Sequence, residues 1–201
     1  MSVPRIAVIP VGRVDVPEIE AALGRVAKVL HAPLELRQPA TLPKGAEDVA
    51  RGQHNARAML AALCAEAPRL KAVKAIGDVP SPPPSPASAP VPTLIFVTDV
   101  DLFTPVTDAA LGELDPPHRA ALVSVRRLRE AFYRRKADPG RQRARLVKEI
   151  LRAAARLAGL PECANADCAL ASSRAVSDID RKGEHYCAPC WKRMSSGTMR
   201  I

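Results

Sequence analysis

Two rhythms of apolar and polar positions alternate through the first half of this chain, and they predict strand, helix, strand, helix, strand. Residues 5–11 form a short apolar run that reads as a buried first strand. In Val16–Leu30, VPEIEAALGRVAKVL, the apolar residues Ile19, Ala22, Leu23, Val26, Val29 and Leu30 recur at helical spacing, so one side of a helix is buried. Asp15 stands where a cap is needed, and Pro17 falls in the first turn, where a missing N–H costs nothing. A short strand is expected around 34–36. A loop with Pro39, Pro43 and Gly45 follows, and then a second helix from Asp48 to about Ala67.

The pattern breaks at 79–92, VPSPPPSPASAPVP, where seven prolines exclude both a helix and a central strand. The segment reads as a Pro-rich insertion loop within one domain, because a strong strand signal, TLIFVTDVDLF at 93–103, comes directly after it. Its continuous apolar part, Leu94 to Val97, fits a central strand covered on both faces. Another strand is expected at 119–125. After Asp138-Pro139-Gly140 a long helix runs to Leu157, capped by Asp138, ended by Gly159 and barred from continuing by Pro161. The sum is an α/β fold with a mixed, mostly parallel sheet.

Composition agrees with that class. Hydrophobic residues are 47% of the 201 and aromatics only 3%, so the core is built from Ala, Val and Leu, which favours helix-rich α/β structure. No run approaches the roughly 20 apolar residues of a membrane span. MSVPRIAVIPVG lacks the long apolar region of an export signal, so a cytoplasmic location and no membrane partner are expected.

Charge changes the picture more. Between 126 and 156 stand 12 Lys and Arg against Glu130, Asp138 and Glu149, a balance of +9 that equals the net charge of the whole chain. A nucleic acid or another acidic partner binding through 126–156 is therefore one candidate function. Only Phe132 and Tyr133 interleave the run, and no base-reading motif accompanies it.

Four of the five cysteines lie near the end of the chain, as Cys163-x4-Cys168 and Cys187-x2-Cys190. Two short pairs separated by a loop supply two chelating arms of soft ligands for a tetrahedral zinc ion. Two disulfides are the alternative, and they require an oxidising compartment. A closed four-cysteine site leaves no open coordination position, so the expected cofactor is one structural Zn2+. Such a site would tie down the tail with an apparent ~10–16 kcal/mol, by analogy with zinc-finger peptides.

The residues leading into the first pair, LRAAARLAGLPEC at 151–163, carry a more specific likeness. Gly159-LPE-Cys163-ANAD-Cys168-A-Leu170, closed by Cys187-AP-Cys190, resembles the archaemetzincins, whose signature continues from a helix-ending Gly through this cysteine spacing. GQHNARAML (52–60), TDVDLF (98–103), VSVRRL (123–128) and DRKGEHYCAPC (180–190) are similar to further stretches of that family. The resemblance implies a minimal metzincin-like fold with a backing helix and an active-site-type helix. It also implies a division into an N-terminal subdomain, 1–159, and a small C-terminal subdomain, 160–201, holding the cysteine site.

The same resemblance puts the clan's zinc motif, His-Glu-x-x-His-x-x-Gly-x-x-His, on positions 152 to 162. Those positions hold Arg152, Ala153, Arg156 and Glu162, and the family's following Met is Leu170. Arginine offers no lone pair to a metal, Ala153 removes the carboxylate general base, and one oxygen from Glu162 does not hold zinc. His31, His54, His118 and His185 are too scattered to rebuild the site, and Asp99 and Asp101 are better suited to turn hydrogen bonding. The implied protein is a pseudopeptidase without catalytic residues or a catalytic Zn2+, binding a peptide or protein partner in the former cleft. An active zinc metallopeptidase with a non-standard site is the remaining enzyme reading. Arg152 and Arg156, four apart on one helix face, are candidate anion-binding residues, and with Glu162 and Glu149 they are candidates for an ionic cluster in place of the metal.

Overall fold

The computed structural model describes residues 5–77 and 91–196. Residues 79–90 of the Pro-rich insertion therefore lie outside the described part. The first strand, β1 (Ile6–Val11), is buried along its whole length, and α1 (Val16–Leu30) follows with Asp15 accepting from the Glu18 N–H. β2 (Leu34–Arg37) pairs parallel with β1, as a strand–helix–strand crossover requires. The central β6 (Thr93–Thr98) pairs parallel with β1 on one side and with β10 (Ala120–Ser124) on the other.

Antiparallel strands close both edges of this sheet. β5 (Ala72–Ile76) lies against β2, and β9 (Gly112–Asp115) against β10, giving the order β5-β2-β1-β6-β10-β9. Gly112 is required at its position, because a Cβ there would lie 2.1 Å from the Leu122 carbonyl oxygen. The sheet is mixed and mostly parallel in its centre, as the apolar runs predicted.

Two predicted elements are corrected. The helix expected from Asp48 begins eight residues later, as α2 (Ala56–Glu66), because Asn55 accepts from the Ala58 N–H and starts the helix there. Upstream, Gly52 at φ +62 turns the chain between β3 (Glu47–Asp48) and β4 (Gln53–Asn55). The strand expected over 93–103 is two strands in two sheets. The chain leaves β6 after Thr98, and β7 (Leu102–Thr104) joins β4 and β8 (Thr107–Ala110) in a four-stranded sheet ordered β3-β4-β7-β8. Asp101 makes the break, because its side chain accepts from the Leu102 N–H while its carbonyl accepts from the His54 N–H at 2.8 Å.

Alternate residues of the central strands face two cores. On one face Ile6, Val8, Ile95, Val97, Ala121 and Val123 pack under α1 and α3 (Pro139–Leu157); on the other Ile9, Val11, Phe96 and Leu122 pack under α2. Asp138 caps α3 through the Arg141 N–H, and Gly159 at φ +80 ends it with Leu160 N–H bonding back to Ala155. The C-terminal segment, with α4 (Val176–Arg181) and α5 (Ala188–Ser196), contributes Leu170, Ile179, Tyr186 and Met194 to the same core as α1 and α3.

Charges are buried where α3 meets this segment. Arg145 is completely inaccessible, and its guanidinium is held by both oxygens of Asp180 at 2.7 Å, by Glu130 at 2.5 Å and by the Leu128 carbonyl at 2.7 Å. A guanidinium in this position matches two carboxylates and a carbonyl at once, which an ammonium does not. Arg145→Met would leave Asp180 without its ion-pair partner and Glu130 with only the longer contacts to Arg135 and Arg141. The expected loss is about 3–5 kcal/mol of unfolding free energy, read as a shift of the denaturant midpoint. A variant within 1 kcal/mol of the parent, by the same approximate scale, would show that these carboxylates are rehydrated.

Candidate metal centre

The end of α3 leads directly to the cysteines. After the Gly159 turn, Cys163 meets the Leu170–Ala171 segment through its N–H to the Leu170 carbonyl, and Cys168 follows a turn closed on Asn165. The Ala169 N–H donates to the His185 carbonyl at 2.9 Å, which brings the second arm alongside the first. Cys187 stands just before α5 and Cys190 in its first turn. Tyr186, between the arms, donates its hydroxyl to the Leu151 carbonyl at 2.6 Å and stacks on Trp191, fastening the site to α3.

These contacts gather the four sulfur atoms within 4.8 Å of one another. The Sγ atoms of Cys163 and Cys187 are 3.7 Å apart. A tetrahedron of sulfurs at the usual zinc distance of about 2.3 Å has an edge of about 3.8 Å, so the donor set fits a zinc ion. All four thiols are free. Burial pushes Cys168 and Cys190 up, whereas the Cys190 backbone N–H donates to Cys187 and holds its thiol down. Thiols raised by desolvation ionise when a dication supplies the opposing charge, which is the chemistry of a thiolate metal site.

The positions of the zinc-protease motif hold a different kind of assembly. Ala153 is buried at 2% exposure and Leu170 at 0%, so both are core residues. Arg152 donates from Nε to Glu149 at 3.0 Å, and its Nη1 lies 3.8 Å from Glu162. Glu149 is itself buried; Ser173 donates to its Oε1 at 2.6 Å, and Lys182 Nζ lies 3.2 Å from the same oxygen. Lys182 also donates to the Ser173 hydroxyl. Burial acts to raise the Glu149 carboxyl, but Arg152, Lys182 and the Ser173 hydrogen bond outweigh it and hold the group below its usual range. Burial lowers the ammonium of Lys182, against the attraction of Glu149.

The ionic cluster expected from Arg152, Arg156, Glu162 and Glu149 is therefore corrected in membership. Arg156 points away from it and donates to the Leu160 carbonyl at 2.8 Å, using its charge to close the helix end. Ser173 and Lys182 take its place, and neither was visible in the sequence. Their backbone sits in the C-terminal segment, 24 and 33 positions from Glu149, and no periodicity links such distances.

Most cations of the basic run have partners within the molecule. Arg127 pairs with Asp101, Arg129 with Asp99, Arg135 with Glu130, Arg141 with Glu130 and Asp138, Arg143 with Glu18, and Arg145 with Glu130 and Asp180. With Arg152 added, seven of the 12 cations form ion pairs, and Lys148 and Arg156 donate to backbone carbonyls. Asp99 and Asp101 are thus anchors for the turns at Arg126–Leu128 and Glu130–Tyr133. His118 is an exposed partner of Asp115, and His185 contributes its carbonyl beside the cysteines.

Known proteins resemble this chain in sequence and fold. A sequence model of peptidase family M54 matches residues 90–196. The archaemetzincin of Methanocaldococcus jannaschii is 26% identical over 190 residues, which cover 94% of this chain and 92% of that protein. An archaemetzincin of Saccharolobus islandicus is 37% identical over 99 residues, 49% of this chain and 52% of that protein. Among solved structures, a zinc-dependent peptidase from Methanocorpusculum labreanum superposes with a TM-score of 0.79 at 24% identity, over 94% of this chain and 99% of that one. The archaemetzincin of Methanopyrus kandleri gives a TM-score of 0.69 at 23% identity, over 98% and 97%. These likenesses establish a zinc-peptidase-type fold, and with the family model covering more than half of its length the chain belongs to peptidase family M54, the archaemetzincins.

Proposed function

We propose that this archaemetzincin has lost peptidase chemistry, keeps a structural four-cysteine zinc, and acts by binding a peptide or protein segment in its former cleft. One observation carries the reading. Among the described residues, the four cysteines are the single group of three or more His, Cys, Asp or Glu side chains placed to hold a metal ion. No second donor set lies near Arg152, Arg156 and Glu162, so a zinc-activated water has nowhere to form within the described structure.

The ion cluster gives the lost site a physical successor. A catalytic zinc in this fold would join the α3 helix to the segment that follows it. Here Glu149 and Arg152 on α3 meet Lys182 and Ser173 beyond the cysteines, so the same two segments are joined by charge. Binding is supported by β9. It stands at the end of the six-stranded order, so one of its sides is free of partners within that sheet and can pair with an extended segment. The fit of the four sulfurs to zinc supports a reducing, cytoplasmic location.

Metal content tests the central claim. The purified chain is expected to carry about one zinc, released by thiol modification, and to hydrolyse no peptide in a mixed library. About two zinc ions per chain, or hydrolysis abolished by chelation, would overturn the reading.

The charge cluster makes a separate prediction. Glu149→Gln should cost about 3–5 kcal/mol at neutral pH, because Lys182 and Arg152 lose a buried counter-charge. Glu149 in the folded protein ionises below its ordinary 4.5, so its contribution is complete above that pH and disappears as pH falls through the lower, folded-state value. Parent and variant stabilities should therefore converge in acid, measured by denaturant titration at several pH values. A constant gap down to the acid limb would remove Glu149 as the titrating partner.

A further inference from the structure

The carboxyl ends of β1 and β6 border a crevice of about 610 Å3 that none of the cysteines and none of the zinc-motif positions line. From β1 the chain crosses to β2 on one side, and from β6 it proceeds to β10 on the other. Neighbouring strands whose connections depart in opposite directions leave an opening outside their carboxyl ends, the usual ligand position in open α/β sheets. The walls are mostly apolar, with Val11, Ala40, Leu42 and Val100 among them. Gly12, at φ +71, lets the Leu42 side chain lie against the backbone, since a Cβ there would be 2.9 Å from Leu42 Cγ.

Two charges complete the lining, and both have unused capacity. Arg13 is exposed at the wall and has no ion-pair partner among the described residues. Asp99 receives Arg129 on Oδ1 at 2.6 Å, and its Oδ2 has no hydrogen-bond partner among the described residues. An apolar pocket with one cationic and one anionic group at its wall is complementary to a ligand with an aliphatic body and two opposite charges. We propose that this crevice binds a short aliphatic zwitterion of dipeptide size, with its carboxylate on Arg13 and its ammonium on Asp99. The volume lies within the roughly 300–1,000 Å3 of small-molecule sites, and a single amino acid would leave much of it to water.

This site is separate from the former cleft, so its test is independent of the pseudopeptidase reading. The zinc-loaded full chain is titrated calorimetrically with the dipeptide Leu-Leu, its N-acetyl derivative and its C-terminal amide. Leu-Leu is expected to bind, and each cap to weaken binding by about tenfold or more by removing one ionic contact. Arg13→Met should abolish the difference between acid and amide while keeping the effect of N-acetylation. Thr41→Trp, an exposed lining position that fills the crevice, should eliminate binding without touching the core. The proposal is overturned by no binding of Leu-Leu, by either capped form binding as tightly as Leu-Leu, or by unchanged binding in Thr41→Trp.

Discussion

A helix that buries its own charges sets the terms for this fold. α3 places Arg145, Lys148 and Glu149 within little more than one turn, and all three are buried. An apolar cover over those groups would be prohibitive, because each unpaired charge costs several kcal/mol to desolvate. The C-terminal segment provides the required partners: Asp180 for Arg145, the Ile179 carbonyl for Lys148, and Lys182 with Ser173 for Glu149. Those partners all fall in or beside α4, a helix of six residues that has little hydrophobic area of its own. Its position depends on what lies on each side of it, which is the cysteine pair before it and the cysteine pair after it. The metal-binding geometry and the buried charges are therefore two halves of one constraint.

That dependence explains which family features persist. A zinc ion held by the four sulfurs would close the loop from 163 to 190, and removing a ligand would then release α4 from α3 together with its countercharges. The positions at 152 and 156 are satisfied without a metal, because Arg152 turns to Glu149 and Arg156 to the helix end. Ala153 and Leu170 fill core space with small and apolar side chains, so the packing survives without polar donors at either position.

The parts of this design that were legible in the sequence are those governed by short-range rules. The limits of α1 and α3 followed from Asp15, Pro17, Asp138, Pro139 and Gly159, because caps and breakers act within one turn. The cysteine pairs were legible because chelation imposes local spacing. The beginning of α2 was not, since the hairpin turn at Gly52 and the pairing of β4 with the distant β7 are what end the strand at Asn55 and start the helix there. The division of 93–103 between two sheets was hidden for another reason. Asp101 is held from afar by Gln53 and Arg127, and a sequence window around it contains neither.

The run from 126 to 156 shows most clearly what local reading misses. Its balance of +9 has the form of an anion-binding face, yet four of its arginines are paired with Glu18, Asp99, Asp101 and Asp180, acids spread over the rest of the chain. Segment charge is additive along the sequence, but potential is additive in space, and folding brings opposite charges to within hydrogen-bond distance. Electrostatic attraction for a polyanion requires cations whose nearest neighbours are water. Arg145 has none, and Arg127 and Arg129 spend their donors on the ends of β6. Part of what appeared as a surface charge in one dimension is, in three, the cement between the sheet, the α3 helix and the cysteine-bearing tail.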